Sequence, residues 1–493
     1  MGSRMLNANS NTIDNSAVNV KKPHLLVATV LLTGIASILA IPSAARAECK
    51  SYYVSTTGKD SNLGDIDMPW LSIHNAAKKM APCDTLYVRG GIYNQSGIVL
   101  NNIGTAISPV KILAYPNELP ILDGSSMNIK QWQAFFSLAG EYIKLSEFEL
   151  RNGGVGVFVE GSHNTVSNVN AHHMLQNGIL ARGDYSTVEN STVSWSCMDH
   201  YNYLIGKGGT NGWSSGLSAA RNTNTAGGIV KHAILRGNTV TENWGEGLST
   251  YEADGTIMEN NTVYNNWALN VYISDARNVI LKNSLIYNTP NSIINDIGAR
   301  FPDRFASNLV LADEQPDKPR STNNIVVNNM MLNGDISAFS WSIPTDGGLF
   351  NALIANNTVI DGNIRTGSKN QASVIKNNIF FASKAGFSLA DVPSRDGLHM
   401  SNNMWSHPPS ANASGKGDII GNPRLVLAGN VGPGKLTKRY FAIGATSPAA
   451  GKGSAISGAV NDYGIITNQG RILNIGAYAT AAIPIQYLPQ QKP

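Results

Sequence analysis

The chain has 493 residues, 42% of them hydrophobic and only 14% charged, with a formal net charge of +4. It is long enough to bury a large core, and it lacks the concentrated basic charge that nucleic acid requires of a partner. Its 48 glycines and abundant asparagines suit a fold with many tight corners.

Residues 1–47 read as a signal peptide. Lys21 and Lys22 precede the apolar run Leu25 to Ile41, and Ala45-Arg46-Ala47 follows, giving the charge, core and small-residue order of export. Cleavage after Ala47 is expected, with an uncleaved anchor as the alternative. Loss of this segment takes away Arg4, Lys21, Lys22, Arg46 and Asp14, so the formal charge falls from +4 to +1. The expectation is a secreted or periplasmic monomer with no stable membrane insertion once the signal is gone.

Residues 48–125 should hold an N-terminal cap and the first coils. Cys49 lies three residues before the strand Tyr52 to Val54, and Cys83 three before Leu86 to Val88. If those strands are adjacent and parallel, the sulfurs face each other, and export makes a Cys49–Cys83 disulfide reasonable. Between them, Ile73, Ala76, Ala77 and Met80 share one face of a short helix, placed to cover the open end of a solenoid.

The central region, 126–400, is organised around Asn238 to Lys282, where one pattern occurs twice at a spacing of 23 residues. Each copy has three short β-prone runs and no helical period, which is one coil of a parallel β-solenoid. Setting Trp244 over Trp267 puts Leu248 over Val271, Thr250 over Ile273 and Glu252 over Asp275, so side-chain types match vertically. About ten such coils are expected, with insertions near 197–212 and 289–307. The pairs Asn328-Asn329, Asn356-Asn357 and Asn377-Asn378 suggest an amide ladder at one corner.

A closing segment, 401–480, and a tail, 481–493, complete the chain. The stretches YYVSTTGKDSNLGDIDMPWLSIHNAAKKMAPCDTLYVRGGIY and GTAISPVKILAYPNELPILDG, with Asp462-Tyr463-Gly464 to Gly470-Arg471 and NIGAY at the far end, resemble secreted right-handed parallel β-helix proteins of the pectate-lyase-like superfamily. The resemblance implies an all-β right-handed parallel β-helix acting on polysaccharide, and leaves lyase, hydrolase, epimerase and non-catalytic surface protein open. Asp462 and Arg471 are expected to pair and seal the last coil.

Chemistry on a sugar ring needs two carboxylates for hydrolysis, or a base and charge neutralisation for β-elimination. Glu246 stands at a corner where neighbouring coils have Asn177-Gly178 and Ser215-Gly216, beside Trp244 and its partner Trp267, whose aromatic faces suit a sugar. Glu252, Asp275 and Asp313 or Glu314 align as a column, either a glycosidase pair or a Ca²⁺ site through Glu252 and Asp275. The bland alternative is a turn ladder in which Arg221 neutralises Glu252. Tyr251 and Tyr272 should point outward along the same groove. His172, His173 and His200 are the titratable candidates near neutral pH, although Asp199-His200 lacks the proline of the similar corner in alginate epimerases. Arg300 and Arg304 could clamp a uronate carboxylate. Polygalacturonase-type paired aspartates and a strand-borne Lys or Arg base are not found. The carboxylate-rich central coils tilt the reading to a glycoside hydrolase, with Glu246 and Asp275, or Asp313 or Glu314, as the pair; a lyase, an epimerase or a non-catalytic glycan binder are the alternatives.

Overall fold

The computed structural model of the protein describes residues 48–220, 228–290, 305–316, 318, 320–341, 346–456 and 473–478. The expected signal, Arg221, Arg300, Arg304 and the Asp462–Arg471 pair lie outside these residues.

The repeat becomes structure through three-residue strands in which the middle side chain is apolar. Thr187-Val188-Glu189 and Thr192-Val193-Ser194 are two consecutive examples, each with only its valine fully buried. β-branched residues on both sides favour the extended backbone. Between these strands, Asn190 adopts φ 51°, a left-handed corner that Asn tolerates better than other side chains. The chain therefore turns by a fixed angle at a fixed interval.

Among the described residues, repetition yields two sheets of thirteen strands, one of eleven and a two-stranded ladder. The strand ladders among them are parallel, for example Thr239↔Thr262 and Leu248↔Val271. This is a parallel β-helix of thirteen rungs instead of about ten. The early rungs escape the sequence repeat because their strands are spaced irregularly, as in Ser51–Val54, Thr85–Val88 and Val110–Ala114. Inside, Val188, Leu235, Met258, Leu281, Val326 and Ile354 are all fully buried in one core. At roughly 1.5–3 kcal/mol for each large apolar side chain buried, this column dominates the stability.

The amide ladder exists. The Asn238 N–H donates to Asn261 Oδ1 at 2.9 Å, and the chain of donations continues through Ser284, Asn329, Asn357 and Asn378 to Asn403. Each expected pair divides its labour. Asn328, Asn356 and Asn377 take the left-handed corner, and the following Asn points inward to satisfy the preceding rung's backbone.

Cys49 and Cys83 are disulfide-bonded, with Cα atoms 5.2 Å apart, beside the register Ser51↔Thr85. The helix Ile73–Ala77 buries Ile73, Ala76 and Ala77 against the first rung. At the other end, residues 425–450 and 473–478 do not merely close the last coil. Leu425, Leu436, Phe441, Ile443 and Ile475 lie against Leu285, Met330, Ile360 and Ile379, on the outer face of the thirteen-stranded sheet that begins at Gly91–Tyr93.

Candidate active site

The outer face of the eleven-stranded sheet gathers most of the polar candidates. Three rows cross it: Ser215, Glu246, Leu269 and Ser307; Ser218, Ser249, Tyr272, Val310 and Ser337; and Ala220, Tyr251, Ser274, Ala312 and Phe339. Rungs about 4.8 Å apart bring residues distant in sequence into contact.

Glu246 is the most constrained carboxylate. The insertion at 197–212 folds as a helix, Met198–Leu204, and the chain then delivers Trp213, whose Nε1 donates to Glu246 Oε1 at 2.6 Å. Ser215 Oγ donates to Oε2 at 3.2 Å, and Ser249 Oγ lies 2.8 Å from Ser215 Oγ and 2.7 Å from Ser218 Oγ. Burial pushes the Glu246 carboxyl well above the usual range, and the charge of Glu314 adds to the effect. Gly245 is required here, since a Cβ would collide with the Ser214 carbonyl oxygen.

Trp244 is not the sugar platform expected. Its ring stacks on Trp267 with centroids 3.9 Å apart, confirming the register, but it is 2% exposed and its Nε1 donates to His200 Nδ1 at 2.7 Å. His200, on the helix, therefore holds the indole instead of meeting a ligand. Trp267 is half-buried, and the indole open to solvent is that of Trp213. His173 also leaves the site: it follows Asn170–His172, a strand of the thirteen-stranded sheet that begins at Gly91–Tyr93, stacks on Trp195 and lies 2.8 Å from His172 through Nδ1.

Beside Glu246, the Tyr272 hydroxyl donates to Glu314 Oε1 at 2.6 Å and accepts from Trp341 Nε1 at 2.9 Å. Tyr272 points outward as expected yet is almost fully covered, and burial raises its phenol far beyond the ordinary value. Tyr251 remains half-buried, its hydroxyl accepting from Gln315 Nε2 at 3.0 Å.

The carboxylate column is real but unequal. Glu252 and Asp275 share φ 48°, and their N–H groups donate to Ser274 and Ala312, one rung on. Asp313, at the third position, accepts from Arg320 Nε at 3.0 Å and from the Ser321 N–H at 2.7 Å. Glu252 has Lys318 Nζ at 4.0 Å. Asp275, between them, takes the Glu314 N–H on both oxygens, and burial, with the charges of Asp313 and Glu314, pushes it up to about 7. With Asp313 bound to a guanidinium and Asp275 to a backbone N–H, these donors do not form a Ca²⁺ cradle. Among the described residues no group of three His, Cys, Asp or Glu is arranged to hold a metal ion.

One rung beyond Glu246 a cleft of about 390 Å³ opens, lined by Leu269, Val310, Phe339, Trp341, Arg365 and Asp391. Trp341 is 49% exposed. The sequence reading missed Trp213, Trp341 and Arg365. Trp213 and Trp341 sit just outside the repeat, where a bulky aromatic without a vertical partner was the available signal.

Over residues 52–283 the chain matches a family described as Pel9A-like, right handed beta helix region. It superposes on the crystal structure of pectate lyase Pel9A with a TM-score of 0.52 and 19% identity, covering 88% of this chain and 96% of that one. The chain folds as a right-handed parallel β-helix and, over residues 52–283, is similar to the pectate-lyase β-helices. This β-helix is also 29% identical over 199 residues to Pectate lyase PEL9 of Emericella nidulans, covering 38% of this chain and 47% of the relative. It is 31% identical over 147 residues to Pectate lyase L of Paenibacillus polymyxa, covering 29% and 32%. The aligned part thus spans less than half the length of these curated relatives.

Proposed function

We propose that this β-helix is an exported polysaccharide lyase that cleaves a uronate-containing glycan by β-elimination. The supporting observation is the hydrogen-bonded pair Tyr272–Glu314, whose charge reaches the buried Glu246, with a cleft lined by Leu269, the partner of Glu246 on the next strand. The names of the relatives favour elimination over the hydrolysis that the carboxylates alone suggested. Export rests on the sequence of residues 1–47; among the described residues no helix is long and apolar enough to cross a membrane.

In this reading Glu314, half-buried and oriented by Tyr272, takes the proton from C5 of the uronate. The C–H electron pair becomes the C4=C5 double bond, and the C4–O pair leaves with the glycosidic oxygen. Glu246, its carboxyl raised by burial, gives that oxygen its proton. Trp213 and Ser215 fix the direction in which Glu246 points, and Trp341 offers an indole face to a neighbouring sugar.

The test is a panel of uronate glycans in which ultraviolet absorbance of the unsaturated product and new reducing ends are followed together. Both signals rising in step supports elimination. Reducing ends without absorbance would establish hydrolysis by the same carboxylates, and neither signal on any glycan would remove the enzyme reading.

A further inference from the structure

Glu246 stands between two stretches of the same sheet. Later rungs carry the cleft, from Leu269 to Asp391. Earlier rungs, through the paired strands Ala134–Leu138, Val155–Val159, Ile179–Ala181 and Ser215–Ala220, lie beside the insertion. That insertion does not stay on its own rung. Its helix Met198–Leu204 buries Asp199 and His200. Asp199 Oδ2 accepts from the Thr210 N–H at 3.0 Å, from the Thr210 hydroxyl and from Gln131 Nε2 at 3.2 Å. Gln131 precedes the strand Ala134–Leu138, so the contact spans three rung steps of about 4.8 Å, or roughly 14 Å of the stack. Gln131 Oε1 in turn accepts from Trp132 Nε1 at 3.0 Å, which orients that indole.

Six aromatic side chains among the described residues are exposed, and three of them, Trp132, Tyr203 and Trp213, lie around this insertion, 44%, 49% and 39% exposed. The His200 ring packs edge-on against Trp213, with centroids 4.8 Å apart, and lies 6.3 Å from Tyr203. Large rings held from behind and left open to solvent are the pattern of a surface kept for a ligand. A flat aromatic face suits the apolar face of a pyranose. A polymer cut beside Glu246 has sugars on both sides of the bond. Those on one side enter the cleft, and those on the other meet Trp213, whose Nε1 already donates to Glu246 Oε1 at 2.6 Å. This continuity with Glu246 favours a glycan over a protein as the occupant.

Resting on the lyase reading for the identity of the ligand, we infer that the insertion is a second glycan-binding platform. Trp132, Tyr203 and Trp213 bind the substrate chain on the side of Glu246 opposite the cleft, and so favour long chains over short ones.

The probes are polygalacturonate and its trisaccharide. Titration calorimetry on the Glu246→Gln protein reads binding without cleavage. In that background Trp132→Ala and Tyr203→Ala should each weaken affinity for the polymer about tenfold, equivalent to about 1.4 kcal/mol. In the active protein each should lower the ratio of kcat/KM on polymer to that on trisaccharide by a similar factor. Both side chains are exposed, so melting temperatures equal to the parent's are expected and separate lost binding from lost folding. Unchanged affinity and ratio overturn the inference, and the lyase reading then stands on the unsaturated product alone. No measurable binding of polygalacturonate overturns the inference as well. Weakened affinity in both variants with no unsaturated product from the active protein supports the platform and removes the lyase reading.

Discussion

Asp275 and Glu246 show how position in a stack sets acidity. Asp275 lies between two carboxylates that have cations nearby, and its own carboxyl is pushed up to about 7, first by burial. A carboxyl raised in the folded state lends stability that is full below the unfolded value near 3.8 and is lost as pH climbs through 7. Asp275→Asn should therefore change little at pH 4 and stabilise the protein at pH 8, by on the order of 2 kcal/mol once screening is allowed for. Thermal melts of both proteins across that range check this, and equal gains at both pH values would refute it. Asn also suits the left-handed backbone at this position. For Glu246→Gln, kcat should fall by ~10²–10⁴-fold with the melting temperature unchanged or higher. The alkaline limb of the kcat profile, which in this reading reports deprotonation of Glu246, should disappear with it. Tyr272→Phe keeps the packing and removes the hydrogen bond that orients Glu314. Its kcat should drop while KM moves little, and a purely structural Tyr272 would instead leave kcat intact. Of these residues the sequence marked Glu246, Asp275 and Tyr272 by register alone. It could not mark Trp341 as the donor to Tyr272, because 69 residues separate them.

At the level of the element, the asparagine ladder does for the corners what valine and leucine do for the strands. Asn357 Oδ1 accepts from the Asn329 N–H at 2.9 Å, and its Nδ2 donates to the Val326 carbonyl at 2.9 Å, all fully buried. Asn357→Ala would strand a backbone donor and an acceptor in the interior, at a cost of roughly 2–5 kcal/mol. Chemical denaturation should show this loss, whereas Asn356→Gly, at a left-handed corner, should cost much less on that count. The ladder was legible because Asn pairs recur at fixed places in the repeat. The helix Met198–Leu204 was not: it lies in an insertion without periodicity, and its role of carrying His200 to Trp244 follows only from a contact across 44 residues.

For the molecule as a whole, a stack in which each rung touches only its neighbours transmits damage locally. Replacing Cys49 and Cys83 by serine should cost roughly 2–4 kcal/mol. Hydrogen exchange should rise first in Ser51–Val54 and Thr85–Val88, the two strands that the bond clamps. Equal loss of protection along the entire helix would contradict local transmission. The sequence by itself determined the coil, its register from Trp244 to Trp267, the disulfide and the files of like side chains, because each depends on a repeat that recurs at a constant interval. Only the tertiary structure decided which carboxylates have cations beside them, which indole is open to solvent and where the cleft lies. Those properties come from insertions and loops that fold back onto the stack, and contact across such distances leaves no period in the sequence to read.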